Sequence, residues 1–163
     1  MSLSLKLLVI PAIGGAATLI PLSFKSDNSL HNPINKKIQR LGNCKEVKSK
    51  EDSSKNNSVG ILVVCLEEKE SNKKQVIFKW FKSNKDKSPV AVKWLTSTWF
   101  GSVQVQLEED KDGKEELFAP SEEVFLENSE VNFVKPQPQQ KHKFGGSNCL
   151  VQEKGKDWKV SCK

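Results

Sequence analysis

Val59-Gly-Ile-Leu-Val-Val-Cys-Leu66 is an almost uninterrupted apolar segment, rich in β-branched side chains. A strand with one solvent-exposed face alternates apolar and polar residues, whereas a strand buried on both faces is apolar throughout. The composition therefore predicts a strand over residues 59–66 that is buried on two sides. Residues 76–81 repeat the pattern after the polar turn 67–74, which predicts a second strand.

Further elements are indicated downstream of these strands. Residues 103–107 alternate valine or leucine with glutamine, which is typical of a half-buried strand. Residues 121–123, a serine followed by two glutamates, are typical of the first turn of a helix, because acidic side chains suit the positive end of a helix dipole. Residues 131–134 are expected to be extended up to Pro136.

The segment 90–100 gives conflicting signals. Ser88-Pro89 before it and Gly101 after it are typical of helix ends, whereas its valine and tryptophan content suits a strand. We favour a helix here. Together these elements predict an α+β fold, with one small mixed domain over residues 59–163 that contains antiparallel strands and a C-terminal hairpin.

A short helix and a linker are predicted before this domain, in the region 25–58. An asparagine N-cap followed by proline opens residues 33–41, whose apolar side chains recur at helical spacing until Gly42. Residues 46–58 are nearly all charged or small and polar, so we expect a mobile linker there.

The N-terminal residues 1–24 indicate contact with a membrane. Residues 7–24 carry no charge, and as a helix these 18 residues span roughly 27 Å, close to the thickness of a bilayer core. Cleavage after the small residues 15–17 would leave a very apolar new terminus. We therefore predict a transmembrane anchor with the rest of the chain outside the cell, the alternative being a cleaved signal peptide and secretion.

Four cysteines follow the apolar segment, and an even number in an exported chain suggests two disulfides. If Gly155 is the first central residue of a tight turn, Cys149 and Cys162 become directly opposed partners in a hairpin. We predict the disulfide Cys149–Cys162 on this ground. Cys44–Cys65 follows by elimination.

Two other uses of the cysteines remain as alternatives. They could be unpaired buried thiols, or zinc ligands together with His31 and His142, although no close Cys-x-x-Cys pair is present. A nucleophilic thiolate would require His142 to lie beside Cys149 or Cys44, and a disulfide would abolish it.

Composition narrows the classes of partner. Of 26 basic residues only Arg40 is arginine, which counts against nucleic-acid binding because base and phosphate recognition favour arginine. Residues 108–130 hold ten acidic side chains against two lysines, and residues 135–163 hold seven lysines against two acidic side chains. Exposed loops explain the acidic stretch, and an acidic patch for a basic partner is the alternative.

Catalytic signatures are missing from the sequence. It contains no Gly-x-Ser-x-Gly, no glycine-rich phosphate loop and no His-Glu-x-x-His. Trp80, Trp94, Trp99 and Trp158 are expected to fill the core, with a ligand-binding aromatic cage as the alternative. We predict a surface interaction or antigen-type protein with an unidentified protein partner, without catalytic activity, metal or cofactor; a cysteine-dependent enzyme or metalloprotein is the last alternative.

The architecture resembles that of a known group of proteins. An apolar N-terminus that begins Met1-Ser-Leu-Ser-Leu-Lys6 precedes a lysine- and asparagine-rich domain with late cysteines, in Asn148-Cys149 and Ser161-Cys162. This layout resembles the short paralogous proteins of haemotropic mycoplasmas. The resemblance implies a membrane-associated, surface-displayed protein of a wall-less bacterial parasite, with no assigned activity.

Overall fold

The structure is a computed structural model that describes residues 33–51, 59–68, 73–155 and 157–163. This part of the chain is mostly antiparallel β-sheet with one short α-helix. In chain order its elements are α1 (Pro33–Arg40), β1 (Cys44–Glu46), β2 (Ile61–Glu68), β3 (Lys74–Phe81), β4 (Val90–Thr98), β5 (Val103–Leu107), β6 (Glu115–Phe118), β7 (Val131–Phe133), β8 (Lys141–Phe144), β9 (Cys149–Lys154) and β10 (Asp157–Cys162). Two 3₁₀ turns lie at Glu122–Phe125 and Gly146–Asn148.

The strands of the described residues form two sheets. In the larger sheet, β1 to β6 are neighbours in chain order and each is antiparallel to the next, while β8 also pairs with β4. The smaller sheet has the order β7-β10-β9. Its β9–β10 pair is the predicted C-terminal hairpin, and β7 runs parallel to β10. The prediction of antiparallel strands is therefore confirmed, with this one parallel pair as an exception.

Alternate side chains of β2 enter two different cores. Leu62 and Val64 belong to the larger core, to which strands of both sheets contribute. Ile61 and Val63 belong to the smaller core beneath α1, together with Ile34. All five are no more than 1% exposed, and such burial stabilises a fold by about 1.5–3 kcal/mol for each large aliphatic side chain. The predicted double burial of this strand is confirmed.

Helix α1 lies where the sequence placed it and packs on the outer face of β2. Its Ile34 and Ile38 are buried, and Gly42 follows it with φ +94°, a conformation that glycine adopts without steric cost. Lys37 Nζ fixes the helix to the β3–β4 connection by donating to the carbonyl oxygens of Asn84 at 2.7 Å and Asp86 at 2.6 Å.

The region assigned as a helix and linker, 25–58, differs from the expectation. Strand β1 pairs with β2, and Val47 is 1% exposed in the larger core. The linker prediction is therefore wrong for residues 46–51, because one valine and the pairing of β1 anchor this polar stretch to the sheet. Residues 52–58 and the apolar segment 7–24 lie outside the described residues.

The helix favoured at 90–100 is wrong, since this segment forms strand β4. Its two long edges are taken up by β3, β5 and β8, and such pairing outweighs local helix punctuation. Gly101, with φ +81°, ends a hairpin turn in which its N–H donates to the Thr98 carbonyl oxygen at 3.0 Å. Downstream, residues 122–125 form a single 3₁₀ turn, and the extended segment at 131–134 is confirmed as β7.

The structure contains the two disulfides that the sequence predicted. Cys149 opposes Cys162 in the β9–β10 hairpin, and Cys44 opposes Cys65 across β1 and β2. Gly155 has φ +64° at the hairpin turn, as the mirror-image turns of tight hairpins require. Each disulfide therefore closes a local hairpin or strand pair of the fold.

Loss of the hairpin disulfide should destabilise the protein. The bond joins residues 13 apart, and the chain-entropy model gives a loop of this size about 3 kcal/mol of stabilisation. We expect a Cys149→Ser/Cys162→Ser double variant to lose free energy of unfolding of that order in urea titrations. Unchanged unfolding midpoints for the double variant and the oxidised wild type would contradict the expectation.

Two adjacent glycines offer a matched test of how closely the second 3₁₀ turn packs on β3. A Cβ at Gly146 would lie 1.8 Å from the carbonyl oxygen of Val76, whereas a Cβ at Gly145 would meet nothing closer than the Lys93 carbonyl oxygen at 3.6 Å. Gly146→Ala should therefore cost roughly 1–3 kcal/mol through overpacking, and Gly145→Ala should be nearly neutral. Thermal unfolding of both variants measures this, and equal melting temperatures would refute the packing.

Candidate functional site

The cysteines are structural in this fold. All four are paired, so no free thiol remains among them. Cys149 is bonded to Cys162, and the His142 ring stacks on Phe144 with centroids 6.0 Å apart. The alternative of a nucleophilic thiolate is thereby disfavoured in the oxidised protein. No group of three or more metal-ligating side chains occurs in the described ranges, and His31 lies outside them.

Charge pairing accounts for much of the acidic stretch. Glu122 pairs with Lys50 at 3.1 Å and Glu123 with Lys48 at 2.6 Å. Other carboxylates of the stretch, Glu109 and Glu130, also lie within ion-pair distance of lysines at 2.8 and 3.3 Å. These lysines reduce the charge that the acidic stretch presents to a basic partner, which favours the exposed-loop interpretation.

The tryptophans do not fill the core together. Trp80 and Trp158 are buried, as expected, but Trp99 is 45% exposed at the tip of the β4–β5 hairpin, so the prediction is wrong for it. Its ring meets Phe100 edge to face at 5.8 Å. Trp94 is half-buried, and the ammonium groups of Lys93 and Lys143 lie 4.4 and 3.4 Å from its ring centroid.

A groove on the outer face of the smaller sheet is the most distinctive surface of the described residues. We call it the lysine groove and define it by Phe125, Asn132, Lys135, Leu150, Lys159 and Ser161. Its volume is about 490 Å³. Alternation along β10 creates it, because Val160 and Cys162 point into the core while Lys159 and Ser161 point outwards.

A fixed polar pair forms the floor of the lysine groove. Asn132 Nδ2 donates to the Leu126 carbonyl oxygen at 2.9 Å, while Asn132 Oδ1 accepts from Ser161 Oγ at 3.1 Å. The parallel register of β7 and β10 places these two residues side by side. Both polar atoms of the Asn132 side chain are hydrogen-bonded within the fold, which holds this side chain in place. The Ser161 oxygen, which donates its proton to Asn132, can still accept a further hydrogen bond.

Lysine side chains form the walls of the groove. Lys135 Nζ lies 5.7 Å from the Phe125 ring centroid, and Lys159 Nζ donates to the Asn128 carbonyl oxygen at 3.1 Å. Lys163 also lines the groove, and Glu127 is the only carboxylate side chain that does so in the described part of the chain. The groove therefore carries an excess of positive charge.

A second depression continues the lysine groove. It has a volume of about 400 Å³ and shares Val134 and Lys135 with the first. Lys141 and His142 line it, and His142 Nε2 is buried without a hydrogen-bond partner in the structure. The two depressions together form a basic trough along the ends of β7 and β8.

No family model, no curated protein and no solved structure matches the chain. Within the described residues, no helix is both long and apolar enough to cross a membrane.

Lys45 is the cation that ties β1 to the C-terminal hairpin. Its Nζ donates to Asp157 Oδ1 and to the Trp158 carbonyl oxygen, both at 2.7 Å, and lies 3.3 Å from Glu130 Oε2. The hydrogen bond from Lys45 lowers the pKa of Asp157, and the Trp158 backbone N–H adds to this effect. The Asp157 carboxylate therefore stabilises the fold above its unfolded pKa near 4, and this contribution is lost as pH falls through the lower folded value.

Removing Lys45 should return this pKa towards its ordinary value. We expect Lys45→Gln to raise the pKa of Asp157, and Lys48→Gln, which removes a lysine from the ion pair with Glu123, to leave it unchanged. A ¹³C NMR titration of the aspartate carboxyl carbons measures both. The same Asp157 titration curve in wild type and Lys45→Gln would show that the Lys45 hydrogen bond is not the cause.

Proposed function

We propose that this chain is a non-catalytic interaction protein displayed on the outer surface of a cell. In this proposal residues 7–24 form an apolar helix that holds it in the membrane. The observation that carries the proposal is the oxidation of all four cysteines, since disulfides persist in oxidising compartments and are rare in the cytosol.

The placement of α1 supports display of the lysine groove away from the membrane. Helix α1 and the smaller sheet cover opposite faces of the larger sheet, because successive side chains of β2 point to each of them in turn. The first residue that the structure describes, Pro33, begins α1. This arrangement agrees with an anchor on the α1 side and a groove open to a partner from outside the cell.

Binding rather than catalysis is favoured by the chemistry of the surface. The cysteine sulfurs are committed to disulfides, and the groove is lined by lysine, amide, hydroxyl and apolar groups. Such groups bind and orient a ligand through charge, hydrogen bonds and apolar contact. The resemblance to the surface proteins of haemotropic mycoplasmas agrees with this proposal and stays a prediction.

Surface labelling tests the proposal directly. We expect a membrane-impermeant amine reagent to label the protein on intact cells, because many of its lysines are exposed. Alkylation under denaturing, non-reducing conditions should find no free thiol. The secreted alternative predicts instead a processed N-terminus in the culture medium, which mass spectrometry detects. Labelling only after lysis, with all four thiols free, would refute both versions.

A further inference from the structure

We infer that the lysine groove binds an acidic polysaccharide, that is, a linear sugar chain that carries carboxylate or sulfate groups. This inference rests on the proposed function, because such a polymer would be met outside the cell. Three features of the groove carry it: its unbalanced charge, its hydrogen-bonding side chains and its exposed apolar patches.

The charge requires an anionic ligand. Lys135, Lys159 and Lys163 line the groove against the side-chain carboxylate of Glu127, and Lys141 extends the positive charge into the adjoining depression. Glu122, 4.0 Å from Lys135 Nζ, offsets part of this charge. Clusters of lysine of this kind attract polyanions such as sulfated sugars over several ångströms in solution.

Hydroxyl groups of a sugar match the uncharged polar side chains. Ser161 offers its oxygen at the floor, and Gln152 is an exposed amide on the neighbouring strand. Gln137 and Gln140 add two exposed amides in the second depression. Amide and hydroxyl side chains both donate and accept hydrogen bonds, as a polyhydroxylated chain requires.

The apolar patches suit the C–H faces of sugar rings. Leu150, on β9, is 67% exposed within the groove. Exposed apolar groups beside polar ones are typical of ligand sites. A trough that spans two connected depressions fits a polymer better than a single small anion.

The same features disfavour nucleic acid as the occupant. Base recognition in single strands depends on aromatic stacking and on arginine, whereas Phe125 is covered by Lys135 and Arg40 lies on α1, across the larger sheet. An acidic peptide carries negative charge like an acidic polysaccharide but lacks its many hydroxyl groups. Tighter binding of such a peptide is therefore one of the outcomes that the test distinguishes.

Binding of heparin, a sulfated and carboxylated polysaccharide, to the full-length protein in neutral detergent tests the inference. We expect heparin to bind, neutral dextran not to bind, and the affinity to fall as salt increases. Lys135→Gln/Lys159→Gln should weaken heparin binding by about tenfold or more. Lys36→Gln/Lys114→Gln, with the same charge change at exposed sites away from the groove, should stay within about twofold of wild type.

A charge-neutral variant separates a shaped site from a merely basic surface. Leu150→Ala/Gln152→Ala leaves the net charge unchanged and alters two exposed side chains, so the fold should persist, as circular dichroism can verify. We expect this variant to lose heparin affinity by about threefold or more. Wild-type affinity for it, or equal losses in the two lysine double variants, would overturn the inference in favour of non-specific charge attraction.

Competition distinguishes the ligand classes. Tighter groove-dependent binding of polyglutamate or of an oligonucleotide would overturn the polysaccharide assignment. The inference and the proposed function fail separately. A surface-labelled, disulfide-bonded protein that ignores heparin refutes only the inference, while a cytosolic, reduced protein refutes the proposed function whatever it binds.

Discussion

Burial of β2 on both of its faces is the constraint on which the rest of this structure depends. Residues 61–66 are at most 6% exposed, so each face must be covered by a different element. Helix α1 covers one face and the smaller sheet contributes to the core on the other. That one apolar strand therefore fixes both the position of the helix and the inward face of β7 and β10. The lysine groove is the outward face of the same strands. The strands that cover the core on their inward side therefore also form the candidate site on their outward side.

Features governed by short-range rules could be predicted from the sequence. The double burial of β2 follows from composition, and the C-terminal register follows from the position of Gly155 relative to Cys149 and Cys162. Strand β4 could not be predicted, because a proline before a segment and a glycine after it, here Gly101, occur at the ends of hairpin strands as readily as at the ends of helices. Pairing with three other strands decided its structure, and that pairing is not local in the sequence.

The candidate site was missed for a related reason. Its members come from the first 3₁₀ turn, β7 and the residues just after it, β9 and β10. The parallel pairing of β7 with β10 brings Asn132 beside Ser161. No local pattern signals such a pairing. One signal was present, because the alternation of Lys159, Ser161 and Lys163 with Val160 and Cys162 already describes a strand with a basic outer face. The charge of the acidic stretch is denser in the sequence than that of the basic one.

The difference between the two charged stretches shows why sequence density is a poor guide to an exposed field. Carboxylates of the acidic stretch, such as Glu123 and Glu130, lie within 2.6 to 3.3 Å of lysines that come from β1 or the residues just after it, so pairing reduces their field. In the groove, Lys159 instead bonds a neutral carbonyl, and Lys135 lies above a ring and 4.0 Å from the exposed Glu122. A neutral partner leaves the charge of Lys159 intact, whereas the exposed Glu122 offsets part of the charge of Lys135. The basic stretch therefore keeps cationic charge that a ligand can reach, and the fold as well as the composition sets the charge that a partner meets.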